Sequence, residues 1–229
     1  MSTTTGRRRP RLVPGLWAAS ALSAVVLALG VSGTLSAWTS AVITNETNTA
    51  ATAAAVILKE TGPDGTAAKT QQTCFSSTGA ANIYSCTNIN KYGGITAPLA
   101  PGTTQTTDVT FSNVGSANAS SFVLTAGTCT STAPTTPGAP TANNLCTTPA
   151  DLTVALSCSL GGTFNAAAPV TGLVYPAGAP GSLATRTYAS GLASGASLTC
   201  RFTVAVPSGA SVLAQGVTVT QPLTWTLTQ

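Results

Sequence analysis

The sequence predicts an all-β sandwich, and three features point to it. Apolar and hydroxyl residues alternate in short runs, Gly, Pro and Asn punctuate them, and no segment of the mature region has the period of an amphipathic helix. The alternation is clearest late in the chain. Leu152, Val154, Leu156 and Cys158 oppose Thr153, Ala155 and Ser157, and Leu198, Cys200, Phe202, Val204 and Val206 oppose Thr199, Arg201, Thr203 and Ala205. A strand sends successive side chains to opposite faces, so each run has one buried and one wet side.

In chain order, residues 1–37 read as a signal peptide. Arg7, Arg8, Arg9 and Arg11 precede an uncharged apolar stretch, Leu12 to Trp38, that ends in small residues. The expected cut lies after Ala37, with a cut after Ala41 as the alternative; uncleaved, the stretch is long enough to anchor the chain in a membrane. Arg8-Arg9 resembles a twin-arginine signal interrupted by Pro10.

Residues 38–50 are polar and aperiodic, an extended N-terminal arm. Residues 51–229 form the sandwich. Val56-Ile57-Leu58 closes a first strand before a Gly62-Pro63-Asp64-Gly65 turn. Cys74-Phe75 and Ile83–Cys86 flank a Gly79 loop as in a hairpin. Val109 with Phe111, and Phe122 with Leu124, continue the pattern. Ser131–Ala142 is a Pro/Thr-rich surface loop. Val217, Val219, Leu223, Trp225 and Leu227 form a last strand, in which Pro222 marks an edge or a bulge.

Composition excludes much chemistry. Histidine is absent, which removes triads, Cys-His dyads and imidazole zinc sites. Charged residues make up only 6% of the chain, against about 25% in ordinary domains. Past residue 11, Lys59, Lys69, Lys91, Arg186 and Arg201 balance Glu46, Glu60, Asp64, Asp108 and Asp151. No basic patch remains for nucleic acid or an anionic membrane. Glu60 and Asp64 are the only close carboxylates, and they read as turn chemistry and solubility. Lys59, Lys69 or Lys91 could serve a Ser–Lys dyad, though no motif supports one. Lys91 could instead join an Asn in an isopeptide cross-link. No cofactor, metal or small-molecule substrate is expected.

Cys74, Cys86, Cys129, Cys146, Cys158 and Cys200 follow the signal, and an even count in an exported chain reads as three disulfides. Cys158 and Cys200 lie in the inward phase of their strands, which makes them the expected pair. Cys74–Cys86 and Cys129–Cys146 would then be local bridges.

Three stretches resemble the TasA/camelysin family of secreted Gram-positive proteins. Gly33-Thr34-Leu35-Ser36-Ala37-Trp38-Thr39 is similar to a SipW-type signal peptide end. Leu99-Ala100-Pro101-Gly102 followed by Asn113-Val114-Gly115-Ser116 is similar to an internal family segment, and Gln215-Gly216 through Gln229 to its C-terminal end. Pro101-Gly102 suits a turn, and Asn113 with Gly115 suits a hairpin corner through tolerance of positive φ. The resemblance implies a jelly-roll sandwich and polymerisation into extracellular matrix fibres. Family members have been labelled metallopeptidases, but a chain without histidine and with scattered carboxylates lacks the ligands.

The expected function is therefore a secreted, non-enzymatic structural protein of the cell surface or matrix. It would self-associate into filaments by donor-strand exchange, the arm residues Trp38, Val42 and Ile43 anchoring in a neighbour's groove. Deleting residues 38–50 is expected to leave a folded, soluble monomer. The alternative is a monomeric adhesin or carbohydrate-binding module, which would want exposed aromatics. The only membrane contact expected is an uncleaved signal.

Overall fold

The computed structural model describes residues 40–44, 56–94, 98–135 and 141–229. Residues 38–229 form one compact unit. Residues 1–37, expected from the sequence to be a signal peptide, and Trp38 lie outside the described residues. Within them the fold is all-β, two antiparallel-dominated sheets facing each other across a shared core, as the alternation predicts.

The six-stranded sheet is organised around β11 (Ser197–Ala205), which pairs antiparallel with β5 (Thr104–Asn113) and β8 (Thr153–Leu160). Beyond them lie β2 (Leu58–Pro63) and β3 (Gln71–Phe75) on one side and β9 (Tyr175–Gly178) on the other. Leu198, Cys200, Phe202 and Val204 are buried, as are Val109, Phe111, Val154, Leu156 and Cys158. The opposite face carries hydroxyl pairs, Thr110 with Thr199 at 3.0 Å and Ser112 with Ser197 at 2.8 Å. It also carries a bidentate Arg201–Asp108 pair with both bonds at 2.7 Å.

The five-stranded sheet runs β10 (Arg186–Tyr188), β6 (Ser121–Ala126), β13 (Leu223–Thr228), β1 (Ser40–Thr44) and β4 (Ile83–Ser85). A two-stranded ribbon joins β7 (Thr130–Thr132) to β12 (Thr218–Thr220).

Aromatic rings weld the two sheets. Trp225, fully buried on β13, lies 4.1 Å from Phe111, 5.5 Å from Phe122 and 6.2 Å from Phe202 between ring centroids. Such offset and tilted contacts add to the large apolar area these rings bury.

Three disulfides complete the core: Cys74–Cys86, Cys129–Cys146 and Cys158–Cys200. The last is the pair that the strand phases suggest, and the first two are the expected local bridges. Cys158 and Cys200 face each other directly in the β8–β11 ladder.

Several sequence expectations need correction. The first strand after the arm begins at Leu58 and runs through Gly62-Pro63, which is not a turn. A side chain at Gly62 would meet Ile89 Cγ2 at 2.9 Å and Val109 Cγ2 at 3.0 Å, so the glycine serves close packing inside a strand. The chain reverses later, where the Asp64 N–H donates to Thr70 O and the Lys69 N–H to Thr66 O. Residues 74–86 are not a hairpin, since β3 and β4 belong to different sheets. The last strand is two strands separated at Gln221-Pro222, because proline offers no N–H to continue a ladder. The first two residues of the Pro/Thr loop, Ser131 and Thr132, belong to the strand Thr130–Thr132. Asn113 and Gly115 do not have positive φ. Buried Asn113 instead accepts the Gly115 N–H and donates to Ala117 O and Leu192 O, an Asx turn within a small amide network. Gly102 does have φ 81° in a turn closed by Thr103 N–H to Ala100 O at 3.0 Å.

Candidate assembly site

The arm does not hang free of the domain. Its central part, β1, occupies a slot in the five-stranded sheet between β13 and the edge strand β4. Ser40, Ala41, Val42 and Ile43 stand opposite Thr228, Leu227, Thr226 and Trp225 in antiparallel register. On the other side Val42, Ile43 and Thr44 run parallel to Ile83, Tyr84 and Ser85. That is the one parallel ladder among the described residues. Parallel neighbours need a long connection, and here residues 45–82 supply it. The side chains of Val42 and Ile43, and all of Trp38, lie outside the described residues. In this structure the chain's own N-terminal segment fills the place that donor-strand exchange would give to a neighbour's arm. A cut after Ala41 would fall inside β1, whereas a cut after Ala37 leaves the strand whole.

The two walls of the slot are held in different ways. The β13 wall rests on β6 through six register pairs, Leu223 to Thr228 against Ala126 to Ser121. Its buried residues alternate strictly, Leu223, Trp225 and Leu227 inward. The β4 wall is short and has no further strand outside it, so it is braced by side chains and covalent bonds. Two 3₁₀ turns carry the chain from β3 across to β4. Ser76 Oγ accepts the Leu58 N–H at 2.9 Å and donates to Asn82 Oδ1 at 2.6 Å, while Asn82 Nδ2 donates to Val56 O at 2.6 Å. Gly79 permits this crossing, since a Cβ there would run into the Ile83 carbonyl. Cys74–Cys86 then ties the end of β3 to the end of β4.

Below β4 the chain turns inward. Lys91 Nζ lies 2.6 Å from Glu60 Oε1, and the side chains are only 4% and 0% exposed. This contradicts the reading of Glu60 and Asp64 as a solvated pair. Asp64 alone does turn chemistry, accepting the Thr66 N–H and hydroxyl, which hold its carboxyl below the usual range. Glu60 points the other way, into the core. Lys91 has Glu60 as its partner, and not an asparagine. Neither the lysine nitrogen nor either carboxylate oxygen is in hydrogen-bond geometry with any group among the described residues. Lys59 instead sits 5.9 Å from the Phe75 ring, a cation–π contact. No lysine–serine hydrogen bond occurs among the described residues.

Next to Lys91, Tyr92 donates to Gln221 Oε1 at 2.6 Å, linking the loop after β4 to the residue just before Pro222 and β13. Burial pushes the Tyr92 hydroxyl well above the usual phenol range. Tyr92 also borders an open cleft of about 720 Å³ whose apolar walls include Val204, Val206, Val217 and Val219. Another buried carboxylate, Asp151, accepts from Asn143 Nδ2 and from the Ser211 N–H at 2.6 Å each, pinning two loops together.

Sequence reading missed the buried Glu60, Lys91 and Asp151. For Glu60 a signal was present. Leu58, Glu60 and Gly62 share the inward phase of β2, whose neighbours Lys59 and Thr61 are only half-buried.

No cluster of three or more metal-ligating side chains exists among the described residues. No helix among them is long and apolar enough to cross a membrane. Three disulfides suggest an oxidising environment. No protein-family model matches the chain, and no curated protein or solved structure is significantly similar to it.

Proposed function

We propose that this chain is a secreted structural protein that assembles into extracellular fibres by exchanging β1 between subunits. One observation carries the reading. A short N-terminal strand, joined to the rest of the domain by residues 45–57, fills a slot whose two walls both belong to the rest of the domain. The same backbone ladder forms whether β1 comes from its own chain or from a neighbour, so exchange creates no new requirement for complementarity. The closed monomer and the polymer then share contacts. What decides between them is subunit concentration against the effective concentration of the tethered strand, on the order of mM for short linkers. A strand passed head-to-tail need not close a ring and generates filaments. The resemblance of three sequence segments to the TasA/camelysin family supports the same reading.

A cysteine pair across the slot separates exchange from self-filling. Val42 and Thr226 are directly opposed, so Val42→Cys with Thr226→Cys places two thiols across the β1–β13 ladder. Oxidised fibres are expected to run as a ladder of covalent multimers on a non-reducing gel, and oxidised monomer as a single intrachain-bridged band. Intrachain bridging at every concentration, with no filaments by electron microscopy, would sink the proposal. The monomeric binding module would then be the better reading, with the cleft bordered by Tyr92 as its ligand site; its volume lies in the range of small-molecule pockets.

A further inference from the structure

We propose that Lys91 and Glu60 condense into an intramolecular amide, a covalent cross-link between β2 and the segment that follows β4. The proposal stands independently of fibre assembly.

The pair is placed for it and poorly satisfied without it. Lys91 Nζ is in contact with the Glu60 carboxylate at 2.6 Å, and both side chains are cut off from solvent. Yet neither group is in hydrogen-bond geometry with anything among the described residues. A buried ion pair recovers its desolvation cost only when hydrogen bonds satisfy the remaining lone pairs and protons. This one lacks them. Condensation replaces two buried ions by one neutral amide.

The surroundings fix both ends. Glu60 is held mid-strand, opposite Cys74 of β3 on one side and Phe111 of β5 on the other. The Asn90 N–H donates to Pro63 O at 2.9 Å, which docks the residue before Lys91 onto the end of β2. Ile89, buried against Gly62, docks the same segment from within the core. Groups held in contact by a rigid frame react as if at effective molarities on the order of 10⁵–10⁸ M.

The step balances with no other reagent. One proton passes from the ammonium to a carboxylate oxygen, and the freed amine attacks Glu60 Cδ. The C–N bond forms, the nitrogen gives up a second proton to that same oxygen, the C–O bond breaks, and water leaves. Nothing is oxidised or reduced. Burial of both ends then limits the access of water to the product and opposes hydrolysis.

The cross-link also makes topological sense. Cys74 and Cys86 both lie between residues 60 and 91, so the disulfide ring would nest inside the amide ring. Both rings brace β4, the outer wall of the β1 slot.

The test is the mass of the purified, folded protein after reduction and alkylation. The expected mass is one water below that of the sequence, and trypsin is expected to leave the bond after Lys91 uncut. The peptide 60–69 should then be found branched onto the fragment that contains Lys91. Lys91→Arg keeps the charge but cannot condense in this way, and its mass should equal that of its sequence. A wild-type chain of full sequence mass, cleaved normally after Lys91, overturns the proposal. So does a water loss confined to peptide 60–69, which would mark a succinimide at Asp64-Gly65. Loss of ammonia in place of water would assign an asparagine partner and overturn it equally.

Discussion

The two sheets of this sandwich are built on different principles. In the six-stranded sheet, β11 meets β5 over nine register pairs and β8 over eight, and a disulfide crosses the second ladder. Every strand there is supplied by residues 58–205. In the five-stranded sheet, β1 holds its neighbours by four pairs and three pairs, and it comes from the far N-terminal end of the unit. One sheet is a permanent scaffold. The other contains a strand joined to its neighbours by two short ladders. The contrast sets long ladders crossed by a disulfide in one sheet against a short inserted strand in the other.

The strongest challenge to that contrast is Trp225→Ala. Trp225 belongs to the five-stranded sheet but touches Phe111 and Phe202 of the other. Removing a large buried aromatic costs about 3–5 kcal/mol, and denaturant unfolding should show this loss in one cooperative transition. Two separate transitions would mean that the sheets do not share a core, and the comparison would have to be recast as two domains.

A truncation sharpens it. A chain that begins at Asn45 lacks β1, so β13 and β4 both gain an unpaired edge. Hydrogen exchange should quicken at β4 and β13 while β11 keeps its protection, and a synthetic peptide of residues 38–50 should restore the slow exchange. Equal loss of protection in both sheets would show that β1 is integral to the fold. The effect on global stability is expected to be smaller than that of Trp225→Ala, because β6 still supports β13. The expectation from sequence that a truncated chain is a folded, soluble monomer is checked on the same sample, since open edges invite association.

The smallest effect belongs to Arg201 and Asp108. Their bidentate bonds are short, but the side chains are 39% and 41% exposed, and a double-mutant cycle should return a coupling of about 0.2–1 kcal/mol. A much larger value would mean that the outer face of the scaffold sheet contributes more than its exposure implies.

The scaffold sheet was largely legible in the sequence because the middles of its strands obey one rule. Apolar residues hold the inward phase over the middle of each strand, Val109 and Phe111 in β5, Val154, Leu156 and Cys158 in β8, and Leu198, Cys200, Phe202 and Val204 in β11, while Thr107 and Asn113 are buried polar positions in β5 and Leu160 at the end of β8 is exposed. That same phase correctly paired Cys158 with Cys200. The slot was not legible. β1 is held by backbone ladders on both sides, and a ladder is nearly blind to side-chain type. β3 and β4 lie close in sequence around a glycine, which looks like a hairpin, but the 3₁₀ turns between them change sheets. The ion pair escaped because a glutamate next to a Pro-Asp-Gly segment resembles turn chemistry. Only its shared phase with Leu58 points inward.

The hydroxyl pairs on the outer face of the six-stranded sheet have a consequence for the environments in which the protein works. Thr110 with Thr199, Ser112 with Ser197 and Thr61 with Thr73 bond side chain to side chain across strands. Hydroxyls do not titrate in the range where most proteins gain or lose charge, and they attract no counterions. With no histidine in the chain and few carboxylates, little on this surface responds to acidification, to brine or to dilution. A coat of this kind is hydrated yet electrically quiet. It lets the fold meet shifts in ionic conditions without its cohesion rising and falling with them.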